Sequence, residues 1–131
     1  MAADLVGKLQ IKPGQGLALL HAPDGLLELL GPQLASATLT AGAPAATDAV
    51  LCFVTRRADV IPHAEAAIAL VRPGGLLWLA YPKGGSPVAT DLNRDTLWEA
   101  MRPTGWRPVR QVAIDGTWSG LRFRPADEVG R

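Results

Sequence analysis

The sequence predicts an α/β fold: a three-layer, open, mostly parallel sheet of about six strands, with helices on both faces and a C-terminal antiparallel hairpin. Three observations predict it. Short apolar runs alternate with segments of helical spacing, which implies parallel strands joined by right-handed crossovers. The run Asp48-Ala49-Val50-Leu51-Cys52-Phe53-Val54 is almost wholly apolar, as a strand covered on both faces must be. Near the end, Asp115-Gly116 separates two strand-like segments and is a strong signal for a two-residue hairpin turn.

The elements follow in order. Leu5, Val6 and Leu9 share one face of a short helix from Asp4 to about Leu9, which Pro13-Gly14 ends. Residues 16–21 read as a buried strand. Asp24 caps a helix carrying Leu26, Leu27, Leu29 and Leu30, closed by Gly31 with Pro32 behind it. Ala35 to Thr40 is a modest strand, and residues 48–54 are the strongest. Asp59 is expected to cap a helix reaching about Val71, with Pro62 in its first turn and Ile61, Ala64, Ile68 and Val71 as its core stripe. His63 falls on a different face of that helix and is expected in solvent. Pro73-Gly74-Gly75 breaks the helix before the strand Leu76–Tyr81. A helix from about Asp91 to Arg102 turns Leu97, Trp98 and Met101 inward, and strands near Arg107–Ile114 and Trp118–Arg124 close the chain.

A length of 131 residues suits one domain, 1–131, and 48% apolar with 19% charged residues exclude intrinsic disorder. Thirteen basic against twelve acidic side chains leave a net charge of +1, which argues against a dedicated nucleic-acid or membrane-surface binder. The single cysteine allows neither an internal disulfide nor a cysteine-based zinc site, and two histidines 42 residues apart give no metal spacing. With no 18-residue apolar run and no basic-then-apolar leader, the expected location is cytoplasmic. Arg107, Arg110, Arg122 and Arg124 alternate with apolar residues on the last two strands, where charge guards a sheet edge against aggregation.

Two segments carry a family resemblance. Thr47-Asp48-Ala49-Val50-Leu51-Cys52-Phe53 resembles the fourth strand of class I methyltransferases, and Leu70-Val71-Arg72-Pro73-Gly74-Gly75-Leu76-Leu77 resembles their helix–Pro-Gly-Gly–strand signature. The order of elements looks like that Rossmann-like fold reduced by about one strand–helix unit. Over most of its length the chain is also similar to a family of small bacterial proteins with this truncated fold and no established catalytic residues. The matching stretches include Ile11-Lys12-Pro13-Gly14-Gln15, Leu20-His21-Ala22-Pro23, Tyr81-Pro82-Lys83, Thr90-Asp91-Leu92 and Thr117-Trp118-Ser119-Gly120-Leu121-Arg122-Phe123.

The methyltransferase resemblance implies S-adenosylmethionine, held by a glycine-rich turn after the first strand and an acid after the second. Here the turn is His21-Ala22-Pro23-Asp24-Gly25, with one glycine and a rigid proline, and the second strand ends Leu39-Thr40-Ala41-Gly42 without an acid. No cofactor is therefore expected.

Ligands collect at the carboxyl ends of strands in open α/β sheets. The polar residues expected there are His21, Asp24, Thr55, Arg56, Lys83, Ser86, Thr90, Asp91, Asp115, Thr117, Trp118 and Ser119. Cations, hydroxyls and a helix N-terminus in that set suit a phosphate or carboxylate, whereas a bland reading makes Thr90 and Asp91 plain helix caps. His21 with Asp24 or Asp115 would make an acid–base pair. Trp118 either covers this edge or plugs the core. Cys52, in mid-strand, reads as a small core hydrophobe, and Lys83-Gly84-Gly85 has its glycines on the wrong side of the lysine for a phosphate loop.

The expected function is non-catalytic: binding of a small anionic ligand or a protein partner at the carboxyl edge, by a monomer or weak homodimer, with no nucleic acid and no membrane as partner. The alternative is an S-adenosylmethionine-dependent methyltransferase or another small enzyme using His21.

Overall fold

The computed structural model of the chain describes residues 9–10, 16–21, 38–40, 47–84, 88–114 and 117–125. Strands β1 (Gly16–Leu20), β2 (Thr38–Thr40), β3 (Thr47–Phe53) and β4 (Val71–Pro82) form at the apolar runs. They pair in parallel, β1 with both β2 and β3, and β3 with β4. The hairpin strands are β5 (Trp106–Ala113) and β6 (Trp118–Pro125). β6 lies antiparallel to both β4 and β5, so the sheet is mixed and its order is β2-β1-β3-β4-β6-β5.

Alternation along β3 shows why its run is apolar throughout. Val50 and Cys52 face one core cluster, with Ala18, Leu77, Leu79, Leu121 and Phe123; Ala49, Leu51 and Phe53 face the other, with Leu17, Trp78, Ala80 and Trp118. Helices α1 (Arg57–Leu70) and α2 (Arg94–Met101) both cover the first of these faces, burying Val60, Ala64, Ala67, Leu97 and Met101 against it. Both described helices therefore lie on this one face. On the opposite face Leu9 packs in, and its carbonyl accepts a buried hydrogen bond of 3.0 Å from Trp78 Nε1. The helices expected over residues 4–8 and after Asp24 lie outside the described residues. No described helix is long and apolar enough to cross a membrane.

Several local expectations are corrected. α1 begins at Arg57, two residues before Asp59, so Asp59 lies in its first turn and is not its cap, while Pro62 falls in the second turn. The fully buried positions are Val60, Ala64 and Ala67; of the expected stripe, Ile68 and Val71 are partly buried against the same cluster, while Ile61 is not part of it. α2 begins at Arg94, not Asp91. Asn93 Oδ1 accepts from Thr96 N–H at 2.9 Å and Thr96 Oγ1 accepts from Asn93 N–H at 2.7 Å, a reciprocal cap that fixes the start.

The Pro73-Gly74-Gly75 segment belongs to β4. Thr47 pairs with Val71 and Ala49 with Leu76, so β4 carries three extra residues there as a bulge. Gly74 has φ +76°, and a Cβ on Gly75 would stand 2.7 Å from the Asp48 carbonyl. The hairpin connection is also longer than a two-residue turn, because Ile114 N–H bonds the Trp118 carbonyl at 3.0 Å and leaves residues 115–117 between them.

Candidate functional site

Parallel pairing of β1, β3 and β4 brings their carboxyl ends to one edge of the sheet. Phe53 pairs with Ala80, so Arg56 and Lys83, each three residues further on, leave neighbouring strands at the same level. The ladder continues one step with Val54 N–H to the Ala80 carbonyl at 2.9 Å. β6 starts at this edge, where Pro82 pairs with Trp118 and Tyr81 with Ser119, and Lys83 N–H bonds the Thr117 carbonyl at 2.8 Å.

Thr90 and Asp91 fasten this edge. Thr90 Oγ1 donates to the Thr55 carbonyl at 2.7 Å and accepts from Leu92 N–H at 3.0 Å, which joins the loop after β3 to the loop before α2. Asp91 Oδ1 accepts from Arg57 N–H at 2.8 Å. A carboxylate from 34 residues away thereby meets the first N–H of α1, whose own N-cap residue, Arg56, supplies no side-chain bond. So Asp91 does act as a cap, but on α1, while Thr90 ties two loops and caps no helix. Arg56, Ala89, Thr90 and Asp91 line one open cleft of about 330 Å³.

His21 ends β1 in the left-handed region, with φ +58°. Its imidazole stacks on that of His63 from α1, with 3.9 Å between ring centroids and 12° between planes. Desolvation pushes the His21 pKa down, the nearby His63 pushes the same way, and Asp59 opposes them. His63, expected in solvent, is instead half-buried, and its Nδ1 is buried without a hydrogen-bond partner among the described residues. Its helical position alone does not show this, because the contact depends on where β1 ends.

Trp118 is 6% exposed and meets Phe53 edge-on, at 5.0 Å and 86°, so it fills the core at this edge. Ser119 is buried beside Tyr81. Burial raises the Tyr81 pKa, while a hydrogen bond with the Ser119 side chain opposes that rise, and Gln111 Nε2 donates to the phenol oxygen at 2.8 Å. Of the Tyr81–Ser119–Gln111 group only Ser119 was singled out in the sequence; the trace of the other two there is the alternation of β4 and β5.

Lys83 is half-buried and Arg56 exposed. Asp24, Ser86 and Asp115 lie outside the described residues. Cys52 is fully buried, burial pushes its thiol up to about 12, and its Sγ stands 3.8 Å from the His63 carbonyl, all as a core thiol requires. Among the described residues, no three His, Cys, Asp or Glu side chains cluster to hold a metal ion.

The structure taken as a whole is similar to solved methyltransferases. A SAM-dependent methyltransferase from Aquifex aeolicus superposes with a TM-score of 0.68 at 10% identity, over 91% of this chain and 86% of that one. The DhpI–SAH complex gives 0.59 at 14% identity, over 93% and 82%. Magnesium protoporphyrin IX methyltransferase from Synechocystis PCC 6803, with bound SAH, gives 0.56 at 12% identity, over 91% and 76%. The likeness establishes a methyltransferase-like Rossmann fold. No family model and no curated protein matches the chain.

Proposed function

We propose that this chain uses a truncated methyltransferase-like fold as a binding scaffold, taking a small anionic ligand at the carboxyl edge between Arg56 and Lys83. The observation that carries the reading is the shared level at which Arg56 and Lys83 leave adjacent parallel strands, beside a cleft at the start of α1. A guanidinium at that cleft and an ammonium at the end of the neighbouring strand suit a phosphate or carboxylate, the first by bidentate hydrogen bonds and the second as a point charge. Asp91 lines the same cleft, but its carboxylate is directed to Arg57 N–H and so acts on the helix terminus.

Binding without methyl transfer is supported by what occupies the edge. Trp118 packs into the core, and the end of β1 carries a histidine stacked on a helix residue. The stretch after it, Ala22-Pro23-Asp24-Gly25, has one glycine where a nucleoside would need bare backbone. The chain acts as a monomer or weak homodimer, without a cofactor.

One observation favours a second reading, an S-adenosylmethionine-dependent methyltransferase: two of the similar structures hold SAH. Isothermal titration separates the two. Pyrophosphate or citrate is expected to bind the wild type with a Kd below about 1 mM (about −4 kcal/mol) and to bind Arg56→Ala and Lys83→Ala at least tenfold more weakly. S-Adenosylmethionine and S-adenosylhomocysteine are expected to give no heat. A micromolar Kd for either overturns the proposal in favour of the second reading, and no anion binding at all overturns it outright.

A further inference from the structure

The opposite margin of the sheet carries a second feature. From residue 102 to 125 the chain holds five arginines and one acid, Asp115, a local charge of +4 in a protein whose net charge is +1. The β-ladder gathers four of those arginines. Arg107 pairs with Arg124, and Arg110 with Arg122, directly across β5 and β6. Arg122 and Arg124, two apart on β6, share the face opposite Leu121 and Phe123, away from α1 and α2, whereas Arg107 and Arg110, on the edge strand β5, also line clefts with Trp98 of α2. Like charges directly opposite each other destabilise a sheet; Arg122 Nη1 donates to Gln10 Oε1 at 2.7 Å, and Arg110 shares a cleft with Asp95 of α2. Burial, Arg124 and Arg110 together push the Arg122 pKa down, and its Nε is buried with no partner among the described residues.

Aromatic surface adjoins this charge. Trp98, Arg102, Gly105, Trp106 and Arg107 line a cleft of about 220 Å³ where α2 runs into β5. Both indoles are half-buried, and the Arg102 guanidinium lies 5.6 Å from the centre of the Trp98 ring. Arg107 belongs both to this cleft and to the cross-strand arginines, so the two form one continuous margin along β5.

The geometry points to a binding surface for single-stranded nucleic acid along β5, with phosphates on the exposed Arg107 and Arg110 and a base against Trp98 or Trp106. A basic track supplies affinity without sequence preference, and an aromatic face beside it stacks any base. Planar guanidiniums take phosphate oxygens two at a time, which lysines on the same strands would not do. The net charge, which argued against such a partner, averages this margin with an acidic first half: residues 1–55 hold two Lys and four Asp or Glu. This surface shares no lining residue with the cleft at Arg56, so either assignment can fail alone.

The test is fluorescence anisotropy with a labelled single-stranded decaribonucleotide of mixed sequence, read from 50 to 200 mM salt. The wild type is expected to bind at low salt, with log K falling against log salt by about 0.7 per phosphate contact, and with quenching of tryptophan emission. Arg107→Gln/Arg110→Gln is expected to lose at least tenfold in affinity and flatten the salt slope. A thermal melt checks that this variant is folded, and single Arg107→Gln serves if it is not. Arg56→Ala/Lys83→Ala is expected to bind the oligonucleotide like wild type. Absence of binding at 50 mM salt, an unchanged affinity in the folded arginine variants, or equal affinity for a poly-glutamate peptide of the same charge would each overturn the proposal, the last in favour of an acidic protein partner.

Discussion

Asp91 Oδ1 lies 2.8 Å from the backbone nitrogen of Arg57, so the first turn of α1 is capped by a residue from the loop before α2. Local sequence around α1 offers Asp59 as the obvious cap, yet Asp59 falls inside the helix. A cap in trans ties two crossover units together at the edge where the strands end.

Removing this contact should loosen the edge without unfolding the protein. Asp91→Ala is expected to cost about 1 kcal/mol, the usual worth of a helix cap, which lowers the melting temperature by about 3–6 °C at this chain length. Asp91→Asn keeps an acceptor oxygen and should cost less. Equal melting temperatures for wild type and Asp91→Ala would contradict the capping role.

Trp118 reads from the structure as a core residue, and truncation tests this directly. Trp118→Ala is expected to destabilise by about 3–5 kcal/mol, the range for emptying a large buried aromatic site. Trp118→Phe retains an aromatic ring against Phe53 and should cost less. Denaturant unfolding of both variants measures the difference; a near-neutral alanine variant would return Trp118 to the surface.

The stacked imidazoles give stability a pH dependence of definite sign. The His21 pKa is lowered from its usual 6.5 by desolvation first and His63 second. The unfolded chain therefore takes up its proton at a higher pH than the folded one. The stability this group contributes is present above pH 6.5 and is lost as pH falls from there through the lower folded value. Melting temperatures measured from pH 7.5 to 5.5 should fall, and His21→Asn should reduce the slope. Asparagine tolerates the left-handed backbone and cannot titrate, so an unchanged slope would remove His21 as the cause.

Gly75 is fixed by contact and Gly74 by conformation. A Cβ at Gly75 would meet the Asp48 carbonyl at 2.7 Å and the Arg72 carbonyl at 2.9 Å, both backbone atoms with little room to move. Gly75→Ala should cost about 1–3 kcal/mol by crowding, and Gly74→Ala about 1–2 kcal/mol at φ +76°. Gly84→Ala, with nothing within 4 Å, is the control and should stay near wild type in the same thermal melts.

β1, β3 and the second half of β4 were legible because each is an apolar run whose composition reports burial on both faces. β3 shows this best, since every described side chain from Ala49 to Val54 is buried. Helix phase was less legible: α1 starts two residues early because its cap comes from Asp91, and no local pattern encodes a partner 34 residues away. The Pro-Gly-Gly motif was visible, but the bulge depends on the register of β4 against β3, which a linear reading does not contain. His21, Arg56, Lys83, Thr90 and Asp91 follow or flank parallel strands, whose carboxyl ends come together whatever the loops do. The His21–His63 stack was invisible for the same reason as the cap, because it joins side chains from two elements.

The placement of β6 has a bearing on how the chain is made. β5 precedes β6 in synthesis, yet in the sheet β6 stands between β5 and the other strands. A growing polypeptide therefore carries β5 without any neighbour to bond until residues 118–125 leave the ribosome. In that interval Val109, Pro108 and the adjoining arginines face the cell unpaired, and proline together with crowded positive charge keeps such a segment from joining a foreign sheet.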